Sequence, residues 1–185
     1  MPTAPPEGST YNGEGVKLVM LKEAPAEDWV LYGEHSGGDQ QFIVTAVDEQ
    51  GNERGTVILG GTDYTAHALM GWAPVALQVS ATGPWTLTTK HIDTMPTWDG
   101  TAPHTGNGDD VFWVAENVAD GLTPITATFE GEFNFVVDAI TSRGSTNVAM
   151  EYGAPGTGEY ALPSGTALIT VKADNNAGWS IAKSE

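Results

Sequence analysis

The chain has 185 residues, with 24 acidic side chains against seven basic ones, a formal net charge of -17 and no cysteine. That charge repels phosphate backbones and anionic lipid surfaces, and the missing thiols exclude disulfides and thiolate metal sites. Charged residues are only 17% and hydrophobic ones 40%, so the composition is that of a folded protein with an acidic exterior; no apolar run reaches membrane-spanning length.

In chain order, residues 1–12 read as an N-terminal arm. Pro2, Pro5 and Pro6 fix φ and remove backbone donors, which suits a stiff segment laid along a partner or a neighbouring copy. The arm has neither a basic n-region nor an apolar h-region, and the expectation is either a chain made without export or one whose leader has been removed. Residues 13–92 form a first repeat with strands expected near Val16–Leu21, Trp29–His35, Gln41–Asp48, Arg54–Leu59, Ala66–Met70, Val75–Ala81 and Trp85–His91. Residues 93–105 contain two prolines and no apolar period, and read as a linker. Residues 106–185 form a second repeat, with strands near Asp110–Ala115, Ile125–Glu130, Phe133–Thr141, Asn147–Glu151, Gly158–Leu162, Ala167–Ala173 and Trp179–Lys183.

The duplication rests on matched positions at nearly constant offset. Gly13, Gly15 and Leu18 match Gly106, Gly108 and Val111; Phe42, Val44, Ala46, Val47 and Gly51 match Phe135, Val137, Ala139, Ile140 and Gly144; Trp85 and Leu87 match Trp179 and Ile181. Drift confined to loops is what duplicated domains show. Alternation in Phe42-Ile43-Val44-Thr45-Ala46-Val47, and a glycine between strand runs at Gly51 and Gly144, predict half-buried antiparallel strands joined by hairpins. The expected fold class is all-β, two tandem immunoglobulin-like antiparallel β-sandwich domains; a jelly-roll order stays open at this point. Trp85 and Trp179 should be core rings, with Trp29 and Trp113 as further core candidates. Trp72 and Trp98 have no counterparts: Trp72 reads as a docking residue and Trp98 as a plug between domains.

The sequence carries no catalytic signature. His35, His67, His91 and His104 form no zinc motif, no Gly-x-Ser-x-Gly elbow occurs, and Gly106-x-Gly108 lacks the third glycine of a dinucleotide loop. Neighbouring carboxylates at Asp109 and Asp110, or two apart at Glu130 and Glu132, do not make a glycosidase pair. The oxygens of Asp48, Glu49, Asn52 and Glu53 read as solvated turns, lacking the spacing of a calcium loop. Neither catalytic residues nor a cofactor nor a metal is expected.

Tyr11-Asn12-Gly13-Glu14-Gly15-Val16-Lys17-Leu18, the Phe-x-Val strand with its Asp-x-x-Gly turn, and Val79-x-Ala81-x-Gly83-Pro84-Trp85-Thr86-Leu87 resemble modules of actinobacterial lipoproteins and surface proteins and, more loosely, phage virion accessory proteins. The resemblance implies β-sandwiches attached to something larger and names no catalytic residue; the lipid-bearing cysteine of a lipoprotein is missing. The expected function is therefore non-catalytic. One reading is a structural protein of a larger assembly, a bacteriophage capsid decoration or tail-associated protein at the virion surface, with a capsid, a tail protein or its own copies as partner. The alternative is a secreted or cell-surface module binding carbohydrate or protein. Candidate partner-binding residues are Pro2, Pro5, Pro6, Tyr11, Trp72 and Trp98; nucleic acid and membrane insertion are not expected.

Overall fold

A computed structural model describes residues 8–22, 29–70, 73–132, 134–174 and 177–184, and the chain divides into two units, Met1–Thr94 and Met95–Glu185. No α-helix occurs among the described residues.

The first unit contains β1 (Thr10–Glu14), β2 (Lys17–Met20), β3 (Trp29–His35), β4 (Phe42–Val47), β5 (Glu53–Gly60), β6 (Tyr64–Met70), β7 (Ala76–Ser80) and β8 (Pro84–His91), followed by a 3₁₀ turn over Ile92–Thr94. They form two four-stranded sheets, β1-β8-β3-β6 and β2-β7-β4-β5, all of whose pairings are antiparallel. Phe42, Val44 and Ala46 on β4 point inward with Leu77 and Val79 on β7, and meet Leu31, Ala66 and Leu87 from the other sheet. That alternation makes one face of each sheet apolar and leaves the other wet.

The second unit repeats this plan with β10 (His104–Asn107), β11 (Asp110–Val114), β12 (Thr123–Phe129), β13 (Asn134–Thr141), β14 (Gly144–Tyr152), β15 (Gly156–Leu162), β16 (Thr166–Ala173) and β17 (Gly178–Lys183). Its sheets run β10-β17-β12-β15 and β14-β13-β16-β11, strand for strand the order of the first unit. One strand is added: β9 (Thr97–Trp98) lies parallel to β11 at the sheet edge.

All-β antiparallel architecture is therefore found, but the strand order is not that of an immunoglobulin sandwich. Eight strands ordered 1-8-3-6 over 2-7-4-5 make a jelly roll, in which the first and last strands are hydrogen-bonded neighbours. The strands that the sequence reading missed are β1 and β10. Both straddle the boundaries read between arm and first repeat and between linker and second repeat, and β9 with the start of β10 lies within the supposed linker, residues 93–105.

Those glycines serve a shared device. β1 pairs with β8 and brings Gly13 opposite Trp85; β10 pairs with β17 and brings Gly106 opposite Trp179. A Cβ on Gly13 would lie 2.2 Å from the Trp85 ring, and one on Gly106 would lie 2.4 Å from Trp179. The indole N–H of Trp85 donates to the Gly15 carbonyl at 3.0 Å, and that of Trp179 donates to the Gly108 carbonyl at 2.8 Å. Each Gly-x-Gly thus gives a buried indole both its space and its hydrogen-bond acceptor.

The expected hairpin turns are present, with Gly51 at φ 81° and Gly144 at φ 119°. Asp48 closes the first: its Oδ1 accepts from the amides of Gln50 at 2.9 Å and Asn52 at 2.8 Å, and its Oδ2 accepts from Arg54 Nε at 2.7 Å. The Asn52 amide foremost, with Asn52 and Arg54 side chains, holds the Asp48 carboxyl below its ordinary 3.8. On β15, burial and the neighbouring Glu151 carboxylate, to which its hydroxyl donates, push the Tyr160 phenol from 10.0 up to about 12. A depressed folded-state value means that the Asp48 contribution to stability is present above pH 3.8 and is lost as pH falls through the lower folded value. A raised one means that the Tyr160 contribution is present below pH 10 and is lost as pH climbs toward 12. Thermal melts across pH should show both declines, with Asp48→Asn flattening the acid limb and Tyr160→Phe the alkaline one; unchanged limbs would contradict the assignment.

Candidate binding surface

The feature that separates the two units is the edge strand β2. The Leu21 amide donates to the Val75 carbonyl at 3.0 Å, and hydrogen-bonding alternates along an antiparallel strand. The amides of Lys17, Val19 and Leu21 therefore face β7, while those of Leu18, Met20 and Lys22 face the sheet edge. Among the described residues no strand lies on that side of β2.

The second unit fills the same place. β11 corresponds to β2, with Trp113 opposite Leu168 as Met20 is opposite Ala76. There the amide of Trp113 donates to the Pro96 carbonyl at 2.9 Å and that of Ala115 donates to the Trp98 carbonyl at 3.0 Å. In the first unit the counterpart of Ala115, Lys22, donates its amide instead to the Tyr11 hydroxyl at 2.9 Å. One side chain thus covers one rung of an edge along which no other described residue pairs.

The side chains follow the same contrast. Leu18 is 52% and Met20 63% exposed, with Val16 exposed beside them, whereas Val111, the counterpart of Leu18, is 1% exposed. Apolar side chains on a strand edge that no described residue pairs are the feature that soluble proteins suppress unless something covers it. Lys17 and Lys22, two of the chain's seven basic residues, bracket the strip and are both exposed.

A second concave surface lies in the second unit. Half-buried Trp113 walls a cleft of 780 Å³ with Glu116, Asn117, Asp120 and Ser164, an aromatic face flanked by polar side chains. The sequence reading placed Trp113 in a core; its position on an outward face of β11 becomes visible only once the strand order is known.

Of the candidate partner-binding residues, Pro2, Pro5, Pro6 and Trp72 lie outside the described residues. Tyr11 belongs to β1, where its ring packs partly buried against the core and its hydroxyl caps the β2 edge. Trp98 is corrected: it is not a plug between domains but a core ring of the second unit, 3% exposed, edge-on to Phe112, with its indole N–H donated to the Ala102 carbonyl at 2.8 Å. Trp29, Trp85 and Trp179 are buried as expected.

The remaining polar groups have local uses. Asp109 Oδ1 accepts the Ala173 amide at 3.0 Å; Asp110 accepts from its neighbour Val111 and lies 3.4 Å from His104 Nε2. Arg54 sits on Asp48 at 2.6 Å, occupying a carboxylate that the sequence considered for calcium. Among the described residues no three His, Asp or Glu side chains converge in a metal-binding group.

No protein-family model matches the chain, and no curated protein does. Solved structures resemble it weakly: a cAMP-bound regulatory domain of protein kinase A from Toxoplasma gondii at 14% identity, covering 95% of this chain and 78% of the other, with a TM-score of 0.26. An oxalate decarboxylase mutant from Bacillus subtilis follows at 10% identity, covering 96% and 69%, with a TM-score of 0.25. A regulatory subunit of a cAMP-independent protein kinase A from Trypanosoma brucei gives 11% identity, 95% and 74% coverage and a TM-score of 0.23. Likenesses this distant carry no function to this chain.

Proposed function

We propose that this is a non-catalytic structural protein that attaches tandem jelly rolls to a larger assembly, with β2 of the first unit as its docking strand. The observation that carries the reading is the apolar edge of β2, unpaired among the described residues, where the equivalent edge of β11 is paired and buried. The two strands hold equivalent places in a duplicated fold, so the difference is a property of the first unit and not of the architecture. An extended segment of a partner would complete the sheet by hydrogen-bonding the Leu18 and Met20 amides and covering their side chains.

The assembly we favour is a bacteriophage virion, with the chain as a capsid decoration or tail-associated protein at its surface. The acidic exterior, the duplication and the use of jelly rolls in capsid shells support this. A second reading, a secreted or cell-surface module binding carbohydrate, draws on the Trp113 cleft, since jelly rolls also serve as lectins and sugars stack on aromatic faces. The experiment is sedimentation of large assemblies from producing cells expressing either wild type or Leu18→Glu/Met20→Glu. Charges on two exposed side chains leave the core intact, so the variant should fold normally and stay in the soluble fraction.

A further inference from the structure

We infer that the strand received by β2 is acidic at its ends: an extended segment of another protein whose apolar side chains cover Leu18 and Met20 and whose carboxylates meet Lys17 and Lys22. The inference rests on the reading of β2 as the docking strand and names the chemistry of its partner. The first unit holds four basic residues, Lys17, Lys22, Arg54 and Lys90. Two are engaged within the unit: Arg54 lies on Asp48 at 2.6 Å, and Lys90 Nζ lies 3.8 Å from the centre of the Tyr32 ring. Lys17 and Lys22 are exposed, and among the described residues neither has a carboxylate partner. The two unengaged cations of the unit therefore stand at the two ends of the apolar strip.

Lys17 opens β2 opposite Val79, and Lys22 follows two residues after Met20. Five positions along an extended chain span roughly 17 Å, the reach of a six-residue strand. The hydrogen bonds at the Leu18 and Met20 amides and the cover over their side chains do not choose a partner, since any extended apolar segment supplies them. The lysines do choose. A docked strand without carboxylates leaves two ammonium groups partly desolvated and unpaired, and a basic strand meets like charge. A strand with a carboxylate near each end forms two charge-assisted hydrogen bonds instead, and specificity is the difference between those affinities. The rest of the surface acts in the opposite sense. A net charge of -17 repels an acidic segment and attracts a basic one, so a preference for the acidic strand has its source in Lys17 and Lys22.

The test uses the full chain and two fluorescein-labelled β-hairpin peptides, cyclised head to tail. Each presents one strand of alternating valine and threonine, bounded at both ends by aspartate in the first probe and by lysine in the second. Affinities are read by fluorescence anisotropy at low salt. Wild type should bind the aspartate probe about tenfold more tightly than the lysine probe, the effect of two exposed charge pairs. The ratio should fall to one or below in Lys17→Thr/Lys22→Thr, shrink as salt is raised, and persist in Lys17→Arg/Lys22→Arg. Equal affinities in wild type overturn the inference. So does tighter binding of both probes by Lys17→Thr/Lys22→Thr, the result expected of lysines that only guard an edge against pairing. Leu18→Glu/Met20→Glu separates this inference from the reading beneath it. If that variant loses both probes while wild type binds them equally, β2 remains the docking strand and the acidic partner falls. If wild type binds neither probe, or the variant keeps both, the docking reading falls and the inference with it.

Discussion

Trp85→Ala and Trp179→Ala should each destabilise their own unit by about 3–5 kcal/mol, the range for removing a buried aromatic ring and leaving its cavity. Both rings are 3% exposed. Collapse onto the cavity is resisted because the nearest backbone, at Gly13 or Gly106, is already pinned by β-pairing with the very strand that carries the tryptophan. Truncation also strands the Gly15 or Gly108 carbonyl that the indole N–H satisfied. Urea unfolding followed by amide signals from each unit would read the two losses separately. Losses below about 1 kcal/mol would contradict the account of the paired Gly-x-Gly device.

His35→Phe should stabilise the first unit by about 1–3 kcal/mol, and Phe129→His should destabilise the second by a similar amount. The two positions are equivalent: His35 lies opposite Trp85 and Phe129 opposite Trp179. His35 stacks on Phe42 at 5.1 Å and 14°, as Phe129 stacks on Phe135 at 5.0 Å and 12°. Neither ring nitrogen of buried His35 has a hydrogen-bond partner among the described residues. The first unit therefore carries two desolvated polar atoms where the second carries a phenyl edge. A His35→Phe protein less stable than wild type in the same unfolding measurement would show that the imidazole has a partner or use that the core packing hides.

The repeat was legible because large rings and inward aliphatics, such as Phe42 with Phe135 and Trp85 with Trp179, survive duplication at nearly fixed spacing. Strand order was not, since it depends on β1 pairing with β8 across most of a unit, and hairpin signals at Gly51 or Gly144 report only on neighbours. Gly13-x-Gly15 and Gly106-x-Gly108 carried no sign of their purpose, which lies in a tryptophan 70 or more positions away. Trp98 looked like an isolated linker ring because β9 is two residues long, too short for any period. His35 carried no mark of a core position, since only its alignment with Phe129 identifies it. The open edge was the least visible of all. Leu18 and Met20 are apolar residues on a strand, and period-two patterning cannot tell a strand with two neighbours from a strand with one.

The claim on which the functional reading stands is that β2, and not the Trp113 cleft, holds the protein to its assembly. Sedimenting particles from cells that express wild type, Leu18→Glu/Met20→Glu or Trp113→Ala tests it in one measurement. The account predicts that wild type and Trp113→Ala sediment with the particle while the folded β2 variant remains in the supernatant. Co-sedimentation of the β2 variant at the wild-type level, with Trp113→Ala lost from the particle, would contradict it.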